Sequence, residues 1–331
     1  MTDACVTQDK LQIQQLEDNI YSFVIPLPEN PLKWLNTYVI RTRERNLLVD
    51  TGFRRPECFQ ALIDGMAALG IHAEDTDVFL THLHSDHTGN TASLQRLGCR
   101  IIMGETDRKL LIESHRAQRE LRMLREGMPD DVLVQVRANN PATLYAPEEF
   151  TCTEVENGSR LTYGAYTLTC IQAPGHTPGH MCLYDSEKQI MFLGDHILFD
   201  ISPNITYWVN RPDSLGDYLE SLKKFADIDI KLALPAHRTQ GCVSTRERAF
   251  QLMKHHEDRL EETLNACAGR GVPAYEIAGR ISWAIRARSW DEFPPGQKWF
   301  AMGETLAHLD RLVLLGKLRR ITDEDGIVKY Y

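Results

Sequence analysis

Short apolar runs alternate with longer amphipathic segments along the first 240 residues of this chain. Each apolar run is bounded by polar or turn-forming residues, which predicts β-strands. The predicted strands occupy residues 20–26, 37–41, 46–50, 77–81, 166–171, 191–195 and 232–235. Residues 56–69 show helical spacing instead, with Pro56 in the first turn and Gly70 after the last, so they predict a helix. This mixture of elements predicts an α/β fold.

A long insertion at about residues 105–150 separates two groups of predicted strands. Its first part, residues 105–126, is predicted to form one helix that ends at Met128 and Pro129, with an irregular segment after it. Arginines recur on this helix every three residues. They are Arg116, Arg119, Arg122 and Arg125. We interpret them as a solvated face balanced by nearby glutamates, and the alternative is a lid that attracts an anionic substrate.

The last part of the chain has a different pattern, and we predict a division into residues 1–243 and residues 244–331. Helical spacing predicts helices at 246–268, 273–288 and 299–316, followed by a hairpin within residues 318–331. The aromatic residues of this part are predicted mainly as core, with an interface or a wall of the substrate pocket as alternatives. They are Trp283, Trp290, Phe293, Trp299 and Phe300.

Composition narrows the class of protein. The 331 residues carry a formal net charge of -9, which gives no overall nucleic-acid signature. There is no apolar run of about 18 residues, and residues 1–20 are polar and acidic, so neither a membrane span nor a secretory signal is predicted. The eight cysteines form no CxxC pair and are predicted to be thiols in a reducing compartment. We therefore predict a cytoplasmic protein.

The most informative segment follows the predicted strand at residues 77–81. His82, His84, Asp86 and His87 lie within six residues, on the loop that leaves the C-terminal end of that strand. Neutral imidazole and carboxylate are ligands that suit zinc, and also iron or manganese. A short helix is predicted after this loop, at residues 88–97. The cluster predicts a metal site rather than a group of surface histidines.

Three later strands each end near one more potential ligand. His176 lies in a GHTPGH run after the strand at 166–171, Asp195 ends the strand at 191–195, and His237 follows the strand at 232–235. Functional side chains commonly lie on loops at the edge of a rigid sheet, so these residues are predicted to meet the first cluster.

Together with the segment at residues 46–52, this ordered set of motifs resembles the metallo-β-lactamase superfamily over residues 15–240. The resemblance implies a four-layer αββα sandwich. It also implies that His82, His84 and His176 hold one metal, that Asp86, His87 and His237 hold a second, and that Asp195 bridges them. Two divalent ions, most simply Zn²⁺, would then supply a bridging hydroxide for hydrolysis, with Asp86 as the catalytic residue.

Two further residues are candidates for a supporting role. Asp50 would orient the ligand loop without binding the metal itself, or alternatively cap its own turn. His180 would donate a hydrogen bond near the site, or alternatively pack as a structural histidine. His196 should point away from the site, because it follows Asp195 directly on a strand.

The C-terminal pattern of three helices and a hairpin resembles a winged-helix module like that of the β-lactamase-like protein 2 group. Some members of that group are endoribonucleases, so a metal-dependent RNA hydrolase is one alternative function. However, residues 299–316 offer only Arg311 as a strongly basic residue, which favours packing against the catalytic domain or a second subunit.

The substrate class is less well defined by the sequence. The metal motifs are similar to those of glyoxalase II, but the CGHE sequence usual around its last histidine is replaced here by Pro235-Ala236-His237-Arg238. Acyl-homoserine lactonases typically have a tyrosine where this chain has Leu198. An ester or thioester of a small metabolite is therefore predicted as the substrate, in a possible homo-oligomer. A redox di-iron protein or a ligand sensor is the lesser alternative.

Overall fold

The computed structural model describes residues 12–113, 115–239, 243–267, 269, 271–284 and 287–331. Its larger sheet has seven strands that follow one another in chain order. They are β1 Gln14–Glu17, β2 Ile20–Pro26, β3 Trp34–Ile40, β4 Asn46–Val49, β5 Thr76–Leu80, β6 Arg100–Gly104 and β7 Thr153–Val155. Strands β1 to β4 pair antiparallel, and β4 to β7 pair parallel.

The smaller sheet has five strands in the order β12, β11, β10, β9, β8. They are β8 Arg160–Tyr163, β9 Tyr166–Gln172, β10 Met181–Asp185, β11 Ile190–Gly194 and β12 Leu232–Pro235. All pairs are antiparallel except β11 with β12. The structure confirms a strand at each position that the apolar runs predicted, within a few residues at the ends.

The two sheets pack face to face, with helices on both outer faces. Phe79 of β5 and Phe192 of β11 belong to one buried cluster that draws side chains from both sheets. The outer face of the larger sheet is covered by α1 Pro56–Leu69, which buries Leu62 and Met66 there. The outer face of the smaller sheet is covered by α8 Ser214–Ala226. Buried apolar area on three interfaces therefore holds the two sheets and their helices together.

The prediction of a single helix at residues 88–97 is wrong. The structure has two short helices there, α2 Ser85–Thr88 and α3 Thr91–Arg96. Between them, the Asn90 side chain donates to the backbone oxygens of Thr51 and Phe53, at 2.8 and 2.7 Å. The backbone N–H of Asn90 also donates to the Thr51 hydroxyl oxygen at 3.2 Å, so Asn90 is bonded to residues 51–53 and lies outside helical geometry.

The insertion is more helical than predicted. The predicted helix at 105–126 is divided into α4 Glu105–Glu113 and α5 Arg116–Arg125, and the segment predicted as irregular contains α6 Asp130–Asn139 and α7 Pro141–Leu144. Helix α6 buries Val132, Leu133 and Val136 in the cluster that contains Met302 and Leu306. The few apolar residues of α6 are buried only because the helix that contains Met302 and Leu306 packs against them. That contact is distant in sequence, so a local pattern does not reveal it.

The C-terminal part contains three long or medium helices and a hairpin, in the predicted order. They are α9 Thr245–Cys267, α10 Ala274–Arg280, α11 Pro295–Leu314, β13 Arg320–Thr322 and β14 Val328–Tyr330. The helix predicted at 273–288 was too long, because the chain becomes extended at Ile281 and the Glu262 carboxylate accepts a hydrogen bond from the backbone of Ser282. The winged-helix assignment stays a prediction.

Helix α11 is the centre of this C-terminal part. Its buried face joins clusters shared with α6, α8 and α9, so it packs both against the insertion and against α8, the helix that covers the smaller sheet. The C-terminal aromatic residues are less buried than predicted, and the side chain of Phe300 is 45% exposed. None of the described helices is long and apolar enough to cross a membrane.

Candidate metal centre

The predicted ligands lie at one edge of the two sheets. His82 and His84 follow β5, and Asp86 and His87 lie in α2. The other three follow β9, β11 and β12. They are His176, Asp195 and His237. Because every strand involved is anchored in the core, loops from four strands bring their side chains together without long flexible tethers.

The first group consists of His82, His84 and His176, whose potential ligand atoms all lie within 4.8 Å of one another. Nε2 of His82 is 3.0 Å from Nδ1 of His84. Burial lowers the pKa of both imidazoles, with neighbouring histidines adding to the effect, and that of His84 falls to about 3. Both rings are therefore neutral at pH 7 and offer lone pairs to a cation.

The second group consists of Asp86, His87 and His237. Oδ2 of Asp86 is 3.4 Å from Nε2 of His237 and 3.8 Å from Nε2 of His87. Asp195 lies between the two groups. Its Oδ1 is 3.6 Å from Nε2 of His87 and 3.5 Å from Nε2 of His237, while its Oδ2 is 3.5 Å from Nε2 of His176. Each oxygen of this carboxylate thus faces a different group.

The spacing and the hydrogen bonding of these atoms fit divalent cations. Ligands about 2.1 Å from a tetrahedrally coordinated zinc are about 3.4 Å apart, close to the separations seen here. Several buried ligand atoms have no hydrogen-bond partner in the described part of the chain, and burial of such atoms is costly unless something binds them. They are Nε2 of His87, Nε2 of His176, Nε2 of His237 and Oδ1 of Asp195.

Other groups fix the orientation of the ligand rings. Oδ2 of Asp50 is 2.8 Å from Nδ1 of His87, and the Asp50 carboxylate also accepts from the backbone N–H and the hydroxyl of Thr81. Nδ1 of His237 is 3.0 Å from the carbonyl oxygen of Trp34, and Nδ1 of His176 is 2.8 Å from that of Asn204. Such partners select the tautomer that leaves Nε2 free for a metal.

The two remaining histidines of the motifs occupy different positions. His180 is buried beneath the first group, and its Nε2 accepts a hydrogen bond of 3.1 Å from the backbone N–H of Asp195. It is therefore an acceptor here rather than the donor that the sequence suggested. His196 points away from the centre, with its ring centroid 4.2 Å from that of Phe225 and its Nε2 3.3 Å from the Ser221 hydroxyl oxygen.

Asp107 joins two ligand loops and was not predicted as a site residue. The fully buried carboxylate accepts from the backbone N–H of Leu83 at 2.9 Å, the hydroxyl of Thr177 at 2.6 Å and the backbone N–H of Gly179 at 2.6 Å. Burial raises its pKa to about 6, although these donors act in the opposite direction. No local pattern distinguishes Asp107 from other acidic residues at a helix start.

Comparison with known proteins agrees with this geometry. Residues 35–237 match the Metallo-beta-lactamase superfamily, and residues 260–331 match its Metallo-beta-lactamase-like, C-terminal domain. A metallo-beta-lactamase family protein of Thermus thermophilus shares the fold with a TM-score of 0.80 at 27% identity, over 96% of this chain and 99% of that one. A beta-lactamase domain protein of Burkholderia ambifaria is similar, with a TM-score of 0.79 at 25% identity, over 96% of this chain and 92% of that one.

Two curated relatives come from fungi. The Lactamase-like protein adaB of Aspergillus niger is 24% identical over 71% of this chain, which spans only 59% of that protein. The Atrochrysone carboxyl ACP thioesterase dmxR1 of Cryptosporiopsis sp. is 24% identical over 82% of this chain and 74% of its own length. On the match over residues 35–237, the chain belongs to the metallo-β-lactamase superfamily.

Proposed function

We propose that this protein is a binuclear metal-dependent hydrolase that cleaves an ester or thioester bond of a small metabolite. The observation that carries the proposal is the position of Asp195, whose two oxygens face two separate groups of ligand side chains. His82, His84 and His176 would hold one ion, and Asp86, His87 and His237 the other. Divalent ions in such a pair lower the pKa of bound water and polarise a substrate carbonyl.

The side chains of this site divide the remaining work. Asp86 is buried, yet the neighbouring His87 and His237 lower its pKa to about 2, so it is an acceptor at neutral pH. Its carboxylate would accept the proton of the attacking water as a hydrogen bond and orient that water towards the carbonyl carbon. Hydrolysis would then break the bond from that carbon to sulfur or oxygen, and release an acid together with a thiol or alcohol.

The preference for thioesters is supported by the relatives. Proteins named as atrochrysone carboxyl ACP thioesterases are 24 to 26% identical to this chain. The wall beside His84 is aromatic, since the Trp208 ring stacks on it with a centroid distance of 6.3 Å. An acyl group could pack there. Zinc is the proposed metal, and iron and manganese suit the same ligands.

RNA hydrolysis, the alternative suggested by the sequence, has less support. In a winged helix, the third helix would contact nucleic acid, but most of α11 is buried against α6, α8, α9 and α10. The exposed hairpin that follows α11 carries acidic residues at its tip, which would repel phosphates. They are Asp323, Glu324 and Asp325.

The test combines metal content with turnover of acyl thioesters. Zinc-loaded wild-type protein, His84→Ala and Asp195→Asn are assayed on a panel of thioesters, and bound zinc, iron and manganese are measured in each. His72→Ala is the matched control, because His72 is exposed and lies outside the site. We expect both site variants to lose metal and turnover while the control retains them. Full activity with full metal content in either site variant would contradict the proposal.

A further inference from the structure

The regularly spaced arginines of α5 differ in their partners. Arg116 pairs with Glu120 at 2.8 Å, and Arg122 pairs with Asp310 of α11 at 2.6 Å. Arg119 has no such partner: within the described part of the chain, no carboxylate oxygen lies within 4.0 Å of its guanidinium. Its Nε is buried without a hydrogen-bond acceptor. Arg119 therefore carries a charge that the protein itself does not neutralise.

Aromatic rings surround this guanidinium. Cζ of Arg119 lies 4.9 Å from the ring centre of Trp208, 5.7 Å from that of Tyr207 and 5.7 Å from that of Trp299. The faces of these rings attract the cation. They do not accept hydrogen bonds from the N–H groups, which point outward in the guanidinium plane. Of the guanidinium nitrogens only Nε is fully buried without a partner, and the residue as a whole is partly exposed, so the Nη donors remain accessible to a ligand.

Trp208 connects Arg119 to the metal centre. Its ring stacks on His84 at 24°, and its indole N–H donates to the carbonyl oxygen of His176 at 3.3 Å. One indole therefore contacts both the guanidinium and two predicted metal ligands. The guanidinium of Arg119 is thus separated from His84 by a single indole ring.

We propose that Arg119 binds an anionic group of the substrate, a carboxylate or a phosphate, while the scissile carbonyl lies at the metal centre. This inference rests on the proposed hydrolase function and narrows its substrate class to anionic acyl esters or thioesters. The planar guanidinium can donate two parallel hydrogen bonds to either anion. The surrounding rings exclude water, which strengthens such a bond. Arg116 and Arg122, by contrast, stabilise the insertion.

The experiment uses pairs of substrates that differ in charge. Glutaryl N-acetylcysteamine thioester and its methyl ester differ by one carboxylate on the acyl side. Acetyl-4′-phosphopantetheine and acetylpantetheine differ by one phosphate on the leaving group. The pair that shows the effect identifies the source of the anion.

The variants are Arg119→Gln, Arg119→Lys and the control Arg116→Gln, which lies one turn away on the same helix. We expect Arg119→Gln to raise KM for the anionic member of one pair roughly ten- to hundredfold, as expected for loss of a charged hydrogen bond. KM for the neutral member and kcat for both members should stay within about twofold of the wild-type values. This is the result expected when the lost interaction stabilises the bound substrate and the transition state equally. Arg119→Lys should restore part of the affinity, because it retains the charge without the planar fork.

Equal losses on charged and neutral substrates would overturn the proposal, as would an equal effect of Arg116→Gln. If the zinc-loaded wild-type protein hydrolyses neither these thioesters nor the matching oxygen esters, the proposed function fails, but anion binding can still be measured. Tryptophan fluorescence of the zinc-loaded protein is then titrated with glutarate and with coenzyme A. Saturable binding that Arg119→Gln weakens and Arg116→Gln leaves unchanged would support the anion site. Absence of saturable binding to the wild-type protein would overturn it.

Discussion

Nδ1 of His176 lies 2.8 Å from the backbone carbonyl oxygen of Asn204. The Asn204 side chain in turn donates to Glu304 at 3.0 Å and to the carbonyl oxygen of Phe300 at 3.3 Å, both in α11. A predicted metal ligand is therefore held in orientation by a loop that the C-terminal helix fixes. These bonds link the C-terminal part to the site, and they make Glu304, which acts through Asn204, a positioning residue rather than a catalytic one.

Glu304→Gln should change stability in a pH-dependent way. Burial raises the pKa of Glu304 from 4.5 to about 7, while the nearby Arg259 and the hydrogen bond from Asn204 oppose that shift. A raised pKa in the folded state means that its contribution to stability is present below about pH 4.5 and is lost as pH rises through 7. The glutamine variant has no such loss, so its unfolding free energy should exceed that of wild type above pH 7, by up to about 3 kcal/mol.

Denaturant unfolding between pH 4.5 and 8.5 measures this difference. The curves of the two proteins should converge at the acidic end and separate towards the basic end. Glu126, whose pKa burial also raises to about 7, is unchanged in both proteins and cancels in the comparison. A constant offset between the curves would show that Glu304 does not titrate in this range.

Asp50→Asn should lower metal affinity more than it lowers the stability of the fold. The carboxylate accepts hydrogen bonds from Nδ1 of His87 and from Thr81. In asparagine one of the two oxygens becomes an NH₂ group, which would face one of these donors and could not accept its hydrogen bond. The imidazole would then favour the wrong tautomer or rotate, which should lower metal affinity roughly ten- to hundredfold. Chelator competition measures the affinity, and Asp75→Asn, at an exposed aspartate, is the control. Unchanged affinity in Asp50→Asn would show that His87 needs no support.

Gly179→Ala should destabilise the fold and loosen two ligand loops. A Cβ at Gly179 would overlap the backbone nitrogen and carboxylate of Asp107, the residue that joins these loops. The first group is backbone and the second is held by three hydrogen bonds, so α4 or the loop must shift, at a cost of about 1–3 kcal/mol. Thermal unfolding and metal content measure the two effects. Gly296→Ala is the control, since its Cβ would meet nothing within 4 Å, and it should be neutral or slightly stabilising.

The pair Arg122–Asp310 should contribute more to stability than the pair Arg116–Glu120. The first joins the insertion to α11 at 2.6 Å with both side chains mostly covered, while Arg116 lies on the surface of α5. Double-mutant cycles with Arg122→Gln and Asp310→Asn should give a coupling of about 0.5–3 kcal/mol. The cycle at Arg116 and Glu120 should give no more than about 0.5 kcal/mol. Equal coupling energies would indicate that solvent screens the Arg122–Asp310 pair as strongly as the Arg116–Glu120 pair.

The strands of the sandwich were predictable because each is a short apolar run that ends at a turn signal. Strand β11, for example, is apolar throughout its five residues, and the parallel neighbour β12 is similar. The break at Asn90 and the helix α6 were not predictable. Asn90 leaves the helix because its side chain bonds to Thr51 and Phe53, which lie 37 to 39 residues earlier.

The sequence by itself determined which side chains are predicted as ligands and that they lie at strand ends, since spacing and residue chemistry are local properties. Only the tertiary structure decided how these side chains are oriented and which neighbours support them. Asp107 reaches the site from α4, and Asn204 and Trp208 reach it from the loop before α8. Their hydrogen-bond partners there lie 24 to 72 residues away along the chain. In α5, Arg116 and Arg122 each have a glutamate four residues later, whereas Arg119 has Met123 at that position, so the local sequence already distinguishes the paired arginines from the unpaired one. Only folding places Asp310 beside Arg122 and three aromatic rings around Arg119.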